Sequence, residues 1–169
     1  KYGIEIEEDQ QPSPEQQQAR MKRESMFIIN AKCAEFFVQN LQRKDAEGAR
    51  SYIKGRWGKE YAEEMQIGFA PDDWNTLYNF ADKAGLSIDL MIELKLLKQN
   101  EVKGNIYDFY RNRIMIPIRD RYRHIIGFTA RDISGIEGTP KYLNSAESDI
   151  YSKSNSIFGI DVAIRQAAK

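Results

Sequence analysis

Apolar side chains recur at helical spacing through the first two thirds of the chain, and strand-like alternation replaces that spacing after residue 105. The widest apolar face lies between Met26 and Leu41, in a helix that we expect to run from Pro14 to about Leu41. Ser13 and Gln16 have the spacing of a capping box at its start, with proline at the first helical position. This pattern predicts the long core helix of the domain.

Four shorter helices are expected before residue 98. Asp45 is the candidate N-cap of a helix that ends at Lys54 with Gly55 as its stop signal, and Asp72 or Asp73 is the candidate cap of a later helix. The four helices are expected over 46–54, 59–65, 73–84 and 87–97. We expect the buried side of the third to hold Trp74, Leu77, Tyr78 and Ala81.

Two alternating segments, 114–118 and 126–130, predict an antiparallel hairpin, and Lys141 to Asn144 form a third short strand. A polar loop and a final helix from about Ile160 complete the pattern. The predicted fold class is therefore α+β, with a mostly helical first two thirds followed by a small antiparallel β-sheet (the hairpin plus the short strand) and a C-terminal helix.

The hairpin allows one prediction about register. A turn centred on Tyr122 pairs Ile116 with Phe128, which keeps the apolar sides together, and it also sets Arg113 opposite Arg131. Like charges directly opposite each other destabilise a sheet by up to about 1 kcal/mol. Either an anion from outside lies between the two arginines, or one of them turns to solvent or to an acid on a helix.

Composition limits the class of protein. The chain has 169 residues, 41% of them hydrophobic, with a mean hydropathy of -0.62, and no apolar run is long enough for a membrane span. Its only cysteine, Cys33, excludes an intrachain disulfide and a cysteine-based zinc site, which fits a cytoplasmic location. We expect Cys33 to be a small core residue.

Charge is unevenly distributed along a chain whose formal net charge is zero. Residues 110–169 hold ten basic and six acidic side chains, and six of the ten are arginines between Arg111 and Arg131. Such a patch favours a phosphate-bearing partner, although a solvated charged face would show the same composition.

The usual catalytic arrangements are missing from the sequence. His124 is the only histidine, so it alone could serve as the base for a nucleophile, and no nucleophile elbow or glycine-rich phosphate loop accompanies it. Adjacent acids such as Glu63 and Glu64 point apart on a helix. We therefore predict no catalytic and no metal-binding residue in this chain.

Ordered motifs between residues 107 and 159 identify a family. The chain reads RNRIMIPI from Arg111, IIGFTAR from Ile125 and PKYLNSAE from Pro140, followed by Lys153 and then Phe-Gly at 158–159. In this order the motifs resemble the bacterial replicative DNA primases, and FIINAKCAEFF, KGR and IGFAPDDW further upstream extend the resemblance over the whole chain. The departures, Thr129-Ala130 for Gly-Gly, Ala146 for proline and Ser154 for glycine, affect loop shape.

The resemblance implies a domain arrangement and cofactors. Residues 1–13 would be a linker from a zinc-binding domain, and residues 14–169 the N-terminal subdomain of the RNA polymerase domain, with the Toprim subdomain following. In the family, the zinc-binding domain holds Zn and the Toprim carboxylates hold catalytic Mg. The full-length protein would be a DNA primase, a nucleotidyltransferase that makes RNA primers. This fragment would be inactive alone, and the replicative helicase would be contacted by a C-terminal domain that the chain does not contain.

The resemblance also implies site residues. The family has a basic groove that guides the single-stranded DNA template and helps to hold ribonucleotides. By motif, its residues here would be Arg111, Arg113, Arg131, Lys141, Tyr142, Asn144 and Lys153. The basic groups would neutralise phosphates and Tyr142 would offer a face to a base or sugar. Strand alternation puts Tyr142 and Asn144 on one side, with Leu143 turned into the core.

Two alternatives remain at this level. Wide apolar helix faces and an acidic first half also fit a helical protein–protein interaction module with an incidental basic hairpin. An independent nucleic-acid-binding protein is disfavoured by the linker-like beginning of the chain. Nothing beyond charge distinguishes Arg119, Arg121 and Arg123, which we expect at a solvated hairpin tip.

Overall fold

A computed structural model describes residues 11–153 of the chain. The helices are α1 (Pro14–Gln39), α2 (Glu47–Arg56), α3 (Lys59–Glu64), α4 (Thr76–Lys83) and α5 (Ile88–Glu93), with short 3-10 turns at Asn40–Gln42 and Lys44–Ala46. The strands are β1 (Gly68–Ala70), β2 (Leu97–Gln99), β3 (Ile106–Asp108), β4 (Arg113–Arg119), β5 (Ile125–Asp132) and β6 (Tyr142–Asn144). The predicted α+β class is confirmed, and the predicted helix from Ile160 lies outside the described residues.

One four-stranded antiparallel sheet, in the order β1-β4-β5-β6, forms the centre of the molecule, and β2 and β3 form a separate two-stranded sheet. The face of β4 and β5 that carries Met115 and Phe128 packs under α1, where the ring of Phe37 meets that of Phe128 edge-on at 5.6 Å. The other face carries Ile114 and Ile116 and packs under α2. Because both faces are covered, β4 is buried at six consecutive positions, not at alternate ones.

The long helix begins where the sequence predicts. The Ser13 hydroxyl accepts from the Gln16 amide, and the Gln16 side chain accepts in return from the Ser13 amide, so the capping box is confirmed. Two buried amides then attach α1 to the sheet: Asn30 donates to the Ile125 carbonyl at 3.0 Å and Asn40 to the Phe69 carbonyl at 3.1 Å. These bonds satisfy polar groups that burial would otherwise leave unpaired.

Two predicted helix caps are wrong. Asp45 does not cap α2, because its carboxylate pairs with Arg43 at 2.8 Å, and α2 continues through Gly55. Asp72 and Asp73 do not cap α4; the Asp108 carboxylate, from β3, accepts from the Leu77 and Tyr78 amides instead. A cap supplied from a distant strand leaves no local signal in the sequence.

Three short strands lie where the sequence predicted helix or loop. Leu97, which we expected at the end of a helix, begins β2, because α5 ends at Glu93 and Lys95 adopts a left-handed conformation with φ 56°. Strand β1 was also not predicted, since three residues are too few to show alternation. No helix within 11–153 is long and apolar enough to cross a membrane.

The predicted hairpin register is also wrong, by one residue. Arg119 pairs with Ile125 as a turn centred on Tyr122 requires, but a bulge follows, and Ile118 pairs with Gly127. From there to the open end of the hairpin every pairing is shifted by one. Since a one-residue slip moves side chains to the opposite face, Arg113 lies opposite Asp132 and not opposite Arg131.

Gly68 offers a test of how closely α1 approaches the sheet. A Cβ at Gly68 would lie 2.4 Å from the backbone carbon of Phe37, so we expect Gly68→Ala to lower the free energy of unfolding by about 3 kcal/mol. Gly55→Ala in α2, where a Cβ meets nothing within 4 Å, should raise it by about 0.5 kcal/mol. Urea unfolding of both variants checks this; equal effects would contradict the close contact.

Candidate nucleic-acid interface

Strands β5 and β6, together with α2, place an arginine between two tyrosines. Arg131 and Tyr142 are direct partners in the β5–β6 register, and α2 brings Tyr52 to the same face. The guanidinium carbon of Arg131 lies 5.0 Å from the centroid of the Tyr142 ring and 5.6 Å from that of Tyr52. Both distances are within cation–π range. We call Tyr52, Arg131 and Tyr142 the Arg131 stack; Tyr142 is 48% exposed and presents its ring to solvent.

Sequence reasoning predicted Arg131 and Tyr142 but missed Tyr52. Nothing in the sequence around Tyr52 links it to the hairpin, because the contact depends on α2 packing against the sheet face that the bulge determines. Leu143 turns inward and packs against the α1 side of the core, as its alternation with Tyr142 and Asn144 predicts.

A cleft of about 600 Å³ opens beside the Arg131 stack. Lys141 lines it together with Tyr52, Arg131 and the glycine-containing loop 135–138. Two acids, Asp132 and Glu137, line it as well. The cleft therefore offers two cations, an aromatic face and an exposed loop backbone, with Asp132 already opposed by Arg113.

Asn144 is held next to the stack on the same face. Its Oδ1 accepts from the Thr129 hydroxyl at 2.7 Å, and Thr129 is its direct partner across the β5–β6 register. This bond fixes the orientation of the exposed amide, so its NH2 group is the part that remains to donate.

Arg111 lies in a second aromatic setting. Its guanidinium carbon is 3.7 Å from the centroid of the Trp74 ring and 5.8 Å from that of Tyr107, and its Nη1 donates to the Asp108 carbonyl at 2.5 Å. Trp74 was expected on a buried helix side, but it precedes α4 and is 58% exposed. The sequence missed Trp74 and Tyr107 as neighbours of Arg111.

Arg113 is buried, and its predicted opposition to Arg131 is not found. Asn112, at φ 51°, turns the chain between Arg111 and Arg113, so the second arginine enters the sheet. Its Nη1 donates to the carbonyls of Ala130 and Pro140 at 3.2 and 3.0 Å, and Nη2 lies 3.9 Å from Asp132. Only 4% of Arg113 is exposed, and burial lowers the pKa of its guanidinium. Arg113 therefore anchors the segment that leads into β6.

Lys153 is exposed but is not brought to the Arg131 stack. Its backbone amide donates to Glu147 at 2.7 Å, and Tyr151, two residues earlier, packs with Ile118 and Ile126. Those isoleucines lie near the turn of the β4–β5 hairpin, whereas Arg131 lies near its open end. The seven predicted residues thus divide into the stack and its cleft, the Arg111 setting, the buried Arg113 and the separate Lys153.

One carboxylate holds the Arg111 setting together. Asp108 accepts at its side chain from the amides of Leu77 and Tyr78 at 2.7 and 2.9 Å, its amide donates to the Trp74 carbonyl, and its own carbonyl receives Arg111. Burial raises the pKa of this carboxyl to about 6, against the two helix amides, which lower it.

The raised pKa predicts a pH dependence of folding. The Asp108 pKa of about 6 exceeds the value of about 3.9 in an unfolded chain, so protonation favours the folded state. Its contribution is fully present below about pH 4 and is lost as the pH rises through about 6. We expect Asp108→Asn to remove this component, measured as the difference in urea unfolding free energy between the two proteins from about pH 4 to 7. Parallel pH profiles would contradict it.

Arg113 should matter for stability more than its exposed neighbours do. Arg113→Ala removes the donor to two buried carbonyls and the countercharge of Asp132, so we expect the free energy of unfolding to fall by about 3 kcal/mol. Arg131→Ala loses two cation–π contacts, and the same urea unfolding should show a change below about 1.5 kcal/mol. A smaller loss of unfolding free energy for Arg113→Ala than for Arg131→Ala would show that Arg113 does not anchor the segment that leads into β6.

The residues described by the structure do not fit the metals that the family resemblance implies. Within 11–153, no three His, Cys, Asp or Glu side chains come close enough to hold an ion. Cys33 lies in the core, where burial raises its thiol pKa, so it is unsuited to metal binding. No step that depends on zinc or magnesium is assigned to these residues.

Comparison with known proteins gives a consistent result. Residues 36–164 match the model of the DNA primase catalytic core, N-terminal domain. The chain is 35% identical to the DNA primase of Salmonella typhimurium over 152 residues and 36% identical to that of Staphylococcus aureus over 146 residues. These matches cover 89% and 85% of this chain but 26% and 24% of the relatives, so the chain spans about a quarter of their length.

Solved structures show the same relationship. A DnaG primase catalytic domain bound to ssDNA superposes with a TM-score of 0.74 at 32% identity, over 89% of this chain and 48% of that one. The RNA polymerase domain of Mycobacterium tuberculosis primase DnaG, in complex with a double-stranded DNA oligomer with an overhang, gives 0.75 at 31% identity, over 86% and 46%. With its fold, its ordered motifs and these matches, the chain belongs to the bacterial DnaG-type DNA primases, as the N-terminal domain of their catalytic core.

Proposed function

We propose that this chain is the template-binding part of a DNA primase, and that the Arg131 stack with its cleft holds single-stranded DNA and incoming ribonucleotides. The observation that carries the proposal is the arginine held between two tyrosines at the open end of the hairpin, where the ring of Tyr142 is exposed. The whole protein would polymerise ribonucleotides on a DNA template in the cytoplasm, with its catalytic metals bound outside residues 11–153.

The chemistry of a single strand matches what the stack offers. Bases have aromatic faces in every sequence, so the exposed ring of Tyr142 can stack on any of them, while Arg131 and Lys141 neutralise adjacent phosphates. Asn144 adds an oriented amide donor. A relative with this fold is described as bound to ssDNA, and another as bound to DNA with an overhang. These contacts read shape and charge and would be tolerant of base sequence.

The Arg111 setting supports the same proposal from a second place. Arg111 uses one of its five N–H donors on the Asp108 carbonyl, and its stack on Trp74 keeps the guanidinium plane extended at the surface. A cleft of about 220 Å³ borders Arg111, Asn112 and Ser134. We infer that Arg111 contacts a phosphate of the DNA strand or of a nucleotide. Arg113 acts indirectly, because its hydrogen bonds to the Ala130 and Pro140 carbonyls hold β5 and the segment that leads into β6 in place.

The alternative of a helical interaction module receives less support. The apolar face of α1, including Met26, Ile29 and Phe37, covers the sheet and forms the main core, so that face is not available to a partner. A nucleic-acid function uses surface that the fold leaves exposed, whereas the module would require the core to open.

Fluorescence anisotropy of a labelled single-stranded oligonucleotide tests the proposal. We expect binding that weakens between about 50 and 200 mM salt, and Arg131→Ala should reduce the slope of log K against log salt by about 0.7. Tyr142→Ala should weaken binding by about 1–3 kcal/mol with the slope unchanged, because stacking releases no counterions.

Two controls accompany the titration. Tyr142→Phe keeps the ring and should bind as the unaltered protein does, and Lys83→Ala removes an exposed charge from the last turn of α4 and should have little effect. Binding that is insensitive to salt, or equally weakened in all four variants, would contradict the proposal and favour the interaction module.

A further inference from the structure

The turn of the β4–β5 hairpin is a second exposed cationic and aromatic surface, which the proposed function does not use. The turn spans 120–124 and lies at the opposite end of β4 from the Arg131 stack. The six residue-to-residue steps from Arg113 to Arg119, at about 3.3 Å each, place it about 20 Å away. We call residues 119–124 the hairpin tip.

The hairpin tip is held in one conformation by its own acid. The Asp120 carboxylate accepts from the amides of Tyr122 and His124, both at 2.9 Å, and its second oxygen lies 3.1 Å from the His124 ring nitrogen. The His124 ring stacks on Phe27 of α1, with centroids 4.7 Å apart. Asp120 is thus used inside the turn, with 24% of its side chain exposed.

Two of the three arginines of the tip are exposed next to an aromatic ring. The guanidinium carbon of Arg121 lies 4.7 Å from the Tyr122 centroid, and its Nη2 donates to the Tyr122 hydroxyl at 2.7 Å. Tyr122 is 66% exposed, and Arg123, at φ 70°, is exposed beside it. Arg119 donates to the Arg123 carbonyl and to Gln66, so it supports the turn from within.

The charge around the tip is positive. Three arginines and one aspartate give the tip a formal charge of +2. On α1, Arg23 lies one turn before Phe27 and is exposed, while Glu24 next to it pairs with Arg20 at 3.0 Å. Lys153 follows Tyr151, whose ring packs in the same small cluster as Phe27. A phosphate chain that reaches this end of the sheet would meet cations from three segments.

We propose that the hairpin tip is a second contact for single-stranded DNA, with Arg121 and Arg123 on phosphates and the Tyr122 ring on a base. From the sequence, where only their charge distinguishes them, we expected these arginines to be solvated at the hairpin tip. The structure adds a preorganised turn and an exposed ring with an arginine attached to it, which is the pairing that sequence-tolerant strand binding uses. This inference rests on the proposed function, because the strand that reaches the tip is the one held at the Arg131 stack.

The separation of the two contacts sets a length requirement. Duplex DNA rises about 3.4 Å per nucleotide and an unstacked single strand extends to roughly twice that, so about three to six nucleotides cover the ~20 Å between the stack and the tip. An oligonucleotide of about two nucleotides can therefore occupy one contact only, whereas one of about 20 nucleotides reaches both.

The experiment is anisotropy of both oligonucleotides against the full chain and four variants. Arg121→Gln with Arg123→Asn removes two charges, and asparagine tolerates the left-handed conformation at 123. Lys32→Ala with Lys83→Ala is the control that removes equal charge from exposed positions on α1 and α4. Tyr122→Leu removes the ring, and Tyr122→Phe keeps it. Circular dichroism melts confirm that each variant is folded.

For the long oligonucleotide, we expect the double arginine variant to reduce the slope of log K against log salt by about 1.4, as two lost phosphate contacts require. Tyr122→Leu should weaken binding at least about fivefold without a change of slope. Tyr122→Phe and the lysine control should bind as the unaltered chain does. The short oligonucleotide should lose less binding in the tip variants than the long one does, because the Arg131 stack alone can hold it.

Other outcomes overturn the inference. An unchanged slope for the long oligonucleotide in the double arginine variant would exclude the tip while leaving the proposed function intact. An equal loss in the lysine control would show a general effect of net charge. Absence of salt-sensitive binding by the unaltered chain to either oligonucleotide would instead be a failure of the proposed function itself.

Discussion

The register of β4 against β5 is the constraint on which the rest of the structure depends. Both faces of this strand pair are covered, by α1 on one side and α2 on the other, so the register decides which of the two helices each side chain faces. The bulge next to Ile118 shifts the pairing by one residue. It therefore determines which residue each side chain faces across the two strands, from Ile118 to the open end of the hairpin. It directs Arg131 towards Tyr52 on α2 and Arg113 towards Asp132.

A second constraint organises the part of the molecule next to the sheet. The Asp108 carboxylate accepts the two hydrogen bonds from backbone amides at the start of α4. The Asp108 backbone also hydrogen-bonds to the Trp74 carbonyl and to the Arg111 side chain. One buried carboxylate therefore connects a helix start, an exposed tryptophan and a candidate phosphate ligand. Its raised pKa reflects the cost of burial, which the two helix amides offset only partly. Such a group is tolerated because it satisfies several backbone donors at once.

The elements that the sequence predicted are those with local causes. The capping box of α1 and the alternation in the hairpin both depend on residues within a few positions of each other. Elements with distant causes were missed, namely the Asp108 cap, β1 and the β2–β3 pair. The bulge belongs to the same group, since the apolar residues of the hairpin fit either register when both faces of the sheet are buried.

The candidate site shows the same division between residue type and placement. Motif resemblance selected Arg111, Arg113 and Arg131 together, because all three carry the charge that a phosphate requires. Their burial differs in the folded chain. Arg113 donates its hydrogen bonds to carbonyls inside the sheet, while Arg131 and Arg111 stack on aromatic rings at the surface. Stacked arginines keep their outer N–H groups for a ligand at low conformational cost, since the ring already restricts the guanidinium. A motif therefore identifies the family and the chemistry, whereas the role of each arginine follows from what surrounds it in the folded chain.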